Sequence, residues 1–218
     1  RLAYTESYDD RNILRLELSP PHRPASGGAF APLIVSKRTE DTPQISPDGK
    51  KIAFVSGRSG SLEIWVCDRD GGNPLQLTQM RQAEAGTPRW SPDSQRLVFD
   101  ARPKQDRDLF VINATGGTPR PLTTDEFNDV LPSWSHDGQW IYFCSNRGGD
   151  YQIWKMPAAG GTAVQLTRQG GFEAFESVDR QTLYYSKDRG VDGLRSVPVA
   201  GGVEQPVPEL AQAGYWRA

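Results

Sequence analysis

Pro43-Gln44-Ile45-Ser46-Pro47-Asp48-Gly49 decides the fold, because the chain repeats it. It comes back as Pro88-Arg89-Trp90-Ser91-Pro92-Asp93-Ser94 and as Pro132-Ser133-Trp134-Ser135-His136-Asp137-Gly138. A worn copy is Glu173-Ala174-Phe175-Glu176-Ser177-Val178-Asp179-Arg180. The aspartates stand at 48, 93, 137 and 179, so the steps are 45, 44 and 42 residues. A fixed period of this size marks a propeller or solenoid, in which each unit buries its apolar faces only against its neighbours.

Other columns keep nearly the same steps. Phe54, Phe99, Phe143 and Tyr185 form one, and Gly72, Gly117, Gly161 and Gly202 another. Leu77, Leu122, Leu166 and Val207 form a third. Each unit reads as four strands, A to D. Strand A ends at the Ser-Pro-Asp-Gly corner, where Pro presets one turn residue and Gly supplies positive φ. Strand B (Lys51–Ser56, Arg96–Asp100, Trp140–Ser145, Thr182–Ser186) is apolar on both faces, as a strand sandwiched between sheets must be. Strand C is Glu63–Asp68, Asp108–Asn113, Gln152–Met156 or Leu194–Val197. A Gly-Gly turn then leads to strand D, which is Leu75–Thr78, Pro121–Thr123, Val164–Thr167 or Gln205–Val207. Pro near strand D suits an outer edge, where a missing N–H costs little.

The expected fold is therefore all-β: a propeller of four-stranded antiparallel blades over residues 1–218. The blades run approximately 1–39 plus 213–218, 40–82, 83–126, 127–169 and 170–212. The first blade has strands B, C and D only. Trp216 lies 41 residues past Phe175, in the strand A column, so the C-terminal strand is expected to close the N-terminal blade. The alternative is part of a six- or seven-bladed ring.

Composition narrows the function. Hydrophobic residues make up 36% and charged residues 24%, and the net charge is −2. No electrostatic footprint for nucleic acid follows from that balance. No apolar run approaches the length that crosses a bilayer. The chain opens at Arg1, and an address signal is expected outside it. Cys67 and Cys144 sit in strands of blades that are not neighbours, and buried free thiols are expected.

The stretch Ile45–Arg58, followed by Glu63-Ile64-Trp65 and Pro74-Leu75-Gln76-Leu77-Thr78, resembles the PD40, or WD40-like, repeat of TolB-type propellers. Related repeats occur in the periplasmic TolB protein, in propellers of prolyl-oligopeptidase and tricorn-type peptidases, and in sensor domains of CadC-like transcriptional regulators. The resemblance implies a periplasmic or otherwise extracytoplasmic binding propeller. Two departures stand out. Blade five lacks the Ser-Pro-Asp-Gly corner and has Arg195 where Trp65, Phe110 and Trp154 stand, and blade one lacks its own strand A.

Four groups carry potential chemistry. The corner aspartates are explained by turn capping. Arg58, Arg102, Arg147 and Arg189 recur just after strand B, on the face shared by the B–C and D–A loops. They either ring the channel mouth and hold an anionic ligand or a partner's carboxylates, or pair with acids such as Asp68, Asp106, Asp108 or Asp150. Glu40, Asp41, Glu84, Asp129 and Glu173 cluster before strand A. They are solvated loop charges or face the channel, where a Ca²⁺ ion is conceivable; no cofactor is expected. Asp41, Asp129 and Glu173 are also the carboxylates that a five-bladed glycosidase would need. Catalysis otherwise has thin support. His22 and His136 have no nucleophile beside them, and no nucleophile elbow or metal-binding histidine spacing occurs. The expected function is a non-catalytic sensor or scaffold, or the accessory propeller of a peptidase. It would bind a protein, peptide or small ligand through Arg58, Arg102, Arg147, Arg189, Asp41, Asp129 and Glu173.

Overall fold

The structure is a computed structural model that describes residues 2–7, 11–16, 18–19, 23–24, 30–187 and 193–208. Those residues are all-β apart from short 3₁₀ geometry such as the turn at Arg81–Ala83. Five successive sheets form the blades of a propeller. Blade one contains β1 (Leu2–Ser7), β2 (Arg11–Leu16) and β5 (Ala31–Ile34). A small ribbon of β3 (Leu18–Ser19) and β4 (Arg23–Pro24) interrupts its long C–D connection. Blade two is β6 (Glu40–Ile45), β7 (Lys51–Ser56), β8 (Glu63–Asp68) and β9 (Leu75–Gln76). Blade three is β10 (Gly86–Trp90), β11 (Arg96–Ala101), β12 (Asp108–Asn113) and β13 (Arg120–Pro121). Blade four is β14 (Asp129–Trp134), β15 (Trp140–Ser145), β16 (Gln152–Pro157) and β17 (Val164–Gln165). Blade five is β18 (Phe172–Glu176), β19 (Thr182–Ser186), β20 (Leu194–Pro198) and β21 (Gln205–Pro206). The strand expected to close blade one from Trp216 falls outside the described residues.

Within each blade, consecutive strands pair antiparallel in chain order. The core lies between the sheets, with one apolar cluster per junction. Ile13 and Ile34 meet Ile52 and Phe54 between blades one and two. Val55, Ile64 and Leu77 meet Leu97 and Phe99 at the next junction, and Val98 and Leu109 meet Ile141 and Phe143 at the third. Cys144 and Ile153 meet Leu183 and Tyr185 at the fourth. Phe54 and Val55 thus point to opposite blades, which is why strand B is apolar on both faces. Each such side chain, fully buried, contributes roughly 1.5–3 kcal/mol. Cys67 and Cys144 are buried free thiols, and burial pushes the Cys67 thiol up to about 12.

The A–B corners work as caps. Ser46 Oγ donates to Asp48, whose carboxylate also accepts the Lys50 N–H, and the same pair of bonds recurs at Asp93, Asp137 and Asp179. The serine hydroxyl is the first cause that holds each of these carboxyls below its usual range. The last corner residue has positive φ in all four copies: Gly49, Ser94, Gly138 and Arg180.

Strand A carries a feature that the motif did not announce. Thr42, Thr87, Leu131 and Glu173 all adopt positive φ, between 40° and 53°, at matching repeat positions. The A–B ladder breaks there in each of blades two to five, between Asp41 and Gln44 in blade two and at the equivalent place in the other three. The next residue is Pro43, Pro88 or Pro132 in three of the four. Proline cannot donate to a ladder, so inside a sheet it belongs at a bulge.

Inner strands are latched to one another. Trp90 Nε1 donates to the Gln44 carbonyl at 3.0 Å, and Trp134 Nε1 to the Arg89 carbonyl at 3.1 Å. The pairing register places Glu176, not Phe175, in that tryptophan column, because Trp90, Trp134 and Glu176 stand opposite Leu97, Ile141 and Leu183. Counting from Phe175 to Trp216 therefore compared two different columns. Glu176 latches in its own way, accepting from the His136 backbone and ring and from the Tyr142 hydroxyl.

Candidate functional site: the loop face

Strand A starts, strand B ends and strand C starts all meet on one face, which therefore collects the B–C and D–A loops. In blade two, Arg58 folds back from the B–C loop into its own sheet. Its Nη2 lies 3.0 Å from Oε1 of Glu40, a residue with no solvent exposure, and its Nε donates to Ser56. The guanidinium lies over the Phe54 and Trp65 rings, at 5.5 and 5.0 Å. Blade four repeats this seat. Arg147 Nη2 is 2.7 Å from the fully buried Asp129 and 3.1 Å from Asp125, and Nε donates to Ser145. Its guanidinium lies over Phe143 and Trp154, with Phe127 at 6.0 Å. Burial raises the Asp129 carboxyl above its usual range despite its arginine partner.

Blade three lacks the seat. Ala85 stands where Glu40 and Asp129 stand, and Ala101 replaces Ser56 and Ser145. Phe110 replaces the tryptophan and stacks on Phe99 with ring centroids 5.6 Å apart. Arg102 thus has no carboxylate beneath it and no open aromatic face. It is exposed, and its side chain makes no ion pair among the described residues. Asp100, in the column of Val55 and Cys144, is a second break: it pairs with Arg107 Nη1 at 2.5 Å, with Thr87 Oγ1 and the Leu131 N–H also donating to it. Blade five has Gly171 in the acid column, where a Cβ would lie 2.9 Å from Thr167 Oγ1 and 2.7 Å from Ile153. Arg189 lies outside the described residues.

The seven residues expected to form the site therefore separate. Arg58 and Arg147 are internal ligands of their own blades. Their partners are Glu40, Asp129 and Asp125; Asp68 pairs with Lys51, and Asp106 bonds Asn128. Glu173 is buried and pairs with Arg89 at 3.0 Å, linking the inner strands of blades three and five past that of blade four. Arg89 also lies over the Phe175 ring. Asp41 and Arg102 remain open to the loop face. Asp41 lines a cavity of about 300 Å³ at the channel mouth, together with Arg11, Thr87, Asp100, Arg107 and Leu131. Two carboxylate–arginine pairs stand in that mouth, Asp41–Arg11 at 2.6 Å and Asp100–Arg107. Asp129 and Glu173 are not among its lining residues, so the three carboxylates expected of a glycosidase do not share it. Among the described residues no three acids, histidines or cysteines cluster as metal ligands.

The sequence reading missed Asp100 and Arg107. Their signal was the break in the repeat itself: a carboxylate in an apolar column, where blades two and four have Val55 and Cys144.

The model of the TolB β-propeller domain matches residues 25–205. The chain belongs to the TolB β-propeller domain family. The Tol-Pal system protein TolB of Hahella chejuensis is 36% identical over 83 residues, which is 37% of this chain and 18% of that relative. The match thus spans under a fifth of the relative's length. The structure of putative TolB from Agrobacterium tumefaciens superposes with a TM-score of 0.74 at 23% identity, over 89% of this TolB-type chain and 75% of the other. A puromycin-hydrolysing peptidase of Mycobacterium tuberculosis also shares the fold, with a TM-score of 0.69 at 18% identity over 89% of this chain and 32% of that one. No helix of the described residues is long and apolar enough to cross a membrane.

Proposed function

We propose that this TolB-type propeller is a non-catalytic binding module that engages a protein or peptide partner through its loop face, in an extracytoplasmic compartment. The release of Arg102 carries the reading. Three coordinated changes, Ala85, Ala101 and Phe110, withdraw the seat that blades two and four give their B–C arginine. A guanidinium left in solvent on a rigid loop is available to a partner's carboxylate. The adjacent 300 Å³ mouth, with its apolar wall of Val55, Leu62, Val130 and Leu131, has room for one side chain or a small ligand. Kinship with a Tol-Pal system protein supports a protein partner and an extracytoplasmic setting. The experiment is affinity capture from an envelope extract with wild-type and Arg102→Glu chains, their folding checked by circular dichroism. Loss of a captured protein with the variant supports the reading. Retention of every partner by a folded variant sinks it.

A further inference from the structure

Outside the channel mouth, the loop face holds a second cavity, of about 430 Å³, between the approach to β6 and the 3₁₀ turn after β9. Arg38 and Arg81 line it, with Leu62 and Glu84, and Gly57 and Gly60 leave its B–C side without side chains. Nothing lies within 4 Å of where a Cβ of Gly60 would stand. Both arginines are exposed, and neither side chain has an ion pair or hydrogen bond among the described residues. Arg102 stands on the adjoining loop, its N–H bonded to the Ala83 carbonyl of the same turn.

This groove is held open by a buried charge. Glu63 is 1% exposed and grips both walls. One carboxylate oxygen accepts from Ser61 Oγ on the B–C side and from the Arg81 N–H; the other accepts from Thr78 Oγ1 and the Met80 N–H. Blades three and four have weaker versions: Asp108 bonds only Thr123, and Gln152 bonds Thr167 and the Gly170 N–H. Under this grip Arg81 and Glu84 adopt φ of 58° and 43°, the left-handed region that side-chain-bearing residues avoid. Strain of this kind persists only where the surroundings over-determine it, and it gathers at binding sites.

We infer that this groove is a docking site for the carboxylates of an acidic peptide segment, held by Arg38 and Arg81 with Arg102 at its flank. An arginine fork pairs with a carboxylate in two parallel bonds, and here the forks are unspent and placed on pinned loops. A polyphosphate chain fits less well. Glu84 stands in the groove itself, 3.8 Å from Arg107, and the chain as a whole carries a net charge of −2. The site goes beyond the proposed function, because it uses neither the mouth nor its carboxylates.

Fluorescence polarisation with a labelled hexaglutamate peptide tests it, at low and physiological salt. The wild-type chain should bind; Arg38→Glu/Arg81→Glu should weaken binding at least tenfold with the thermal midpoint unchanged. Oligothymidylate of equal charge should compete poorly. Absence of wild-type binding overturns the proposal, as does binding that survives the double substitution or yields equally to oligothymidylate. Binding lost only with Arg102→Glu also overturns the groove, yet leaves the loop-face reading standing.

Discussion

Blades two and four treat their B–C arginine as part of the sheet, whereas blade three turns its own out. In the former, a buried acid, a serine and two aromatic rings surround the guanidinium. In the latter, two alanines and a closed phenylalanine stack leave nothing for it to bind. The lesson is that regular repetition of a charged residue reports structure, and a coordinated break in the repeat reports function. The buried pairs need not be strongly stabilising in themselves, since taking both charges out of water offsets much of their attraction. Breaking one is costly, because the remaining charge has no water to return to.

That asymmetry sets the order of effects. Asp129→Ala should be the most damaging, lowering stability by about 3 kcal/mol in urea denaturation, with Glu40→Ala close behind. Ala85→Ser, at the same column in blade three, should fall well short of that. A second contrast lies in the strand C column. Burial pushes the Asp108 carboxyl up to about 6 from its usual 3.8. The folded state thus favours the protonated form, so the penalty is absent below pH 3.8, grows between 3.8 and 6, and is complete above 6. Asp108→Asn should therefore raise the thermal midpoint at pH 8 by about 3 °C, roughly 1 kcal/mol, and change little at pH 3.5. Gln152, the uncharged occupant of that column, should show no such window when changed to Asn. The smallest effect belongs to the corners: Arg180→Gly relieves a positive φ and should gain about 0.5 kcal/mol, while Gly138→Ala loses about as much.

Much of the fold was legible because a propeller repeats its instructions. The Ser-Pro-Asp-Gly corners, the Phe54 column and the Gly-Gly turns place strands B and C to within a residue of where they lie. Strand D came out shorter, two residues in each of blades two to five, because only the first part of each segment pairs with strand C. The bulge at Thr42, Thr87, Leu131 and Glu173 was hidden by side chains that give no hint of positive φ, although Pro43, Pro88 and Pro132 marked it. Site residues were harder to read. Sequence spacing puts an arginine just after strand B in blades two, three and four, one residue early in blade three, but which acid each meets depends on the pleat. Glu40 and Asp129 face these arginines, whereas Asp41, one residue on, faces the mouth. Arg38 and Arg81 belong to no repeat column of charge, so periodicity could not find them.

The account rests on two arginines being structural and one being free. Urea denaturation of Arg58→Ala, Arg147→Ala and Arg102→Ala, measured side by side, tests it most directly. The first two should each lose about 2 kcal/mol or more, since Glu40 and Asp129 are left buried without their cation, and the third should stay within about 0.5 kcal/mol of the parent. Equal losses in all three would contradict it.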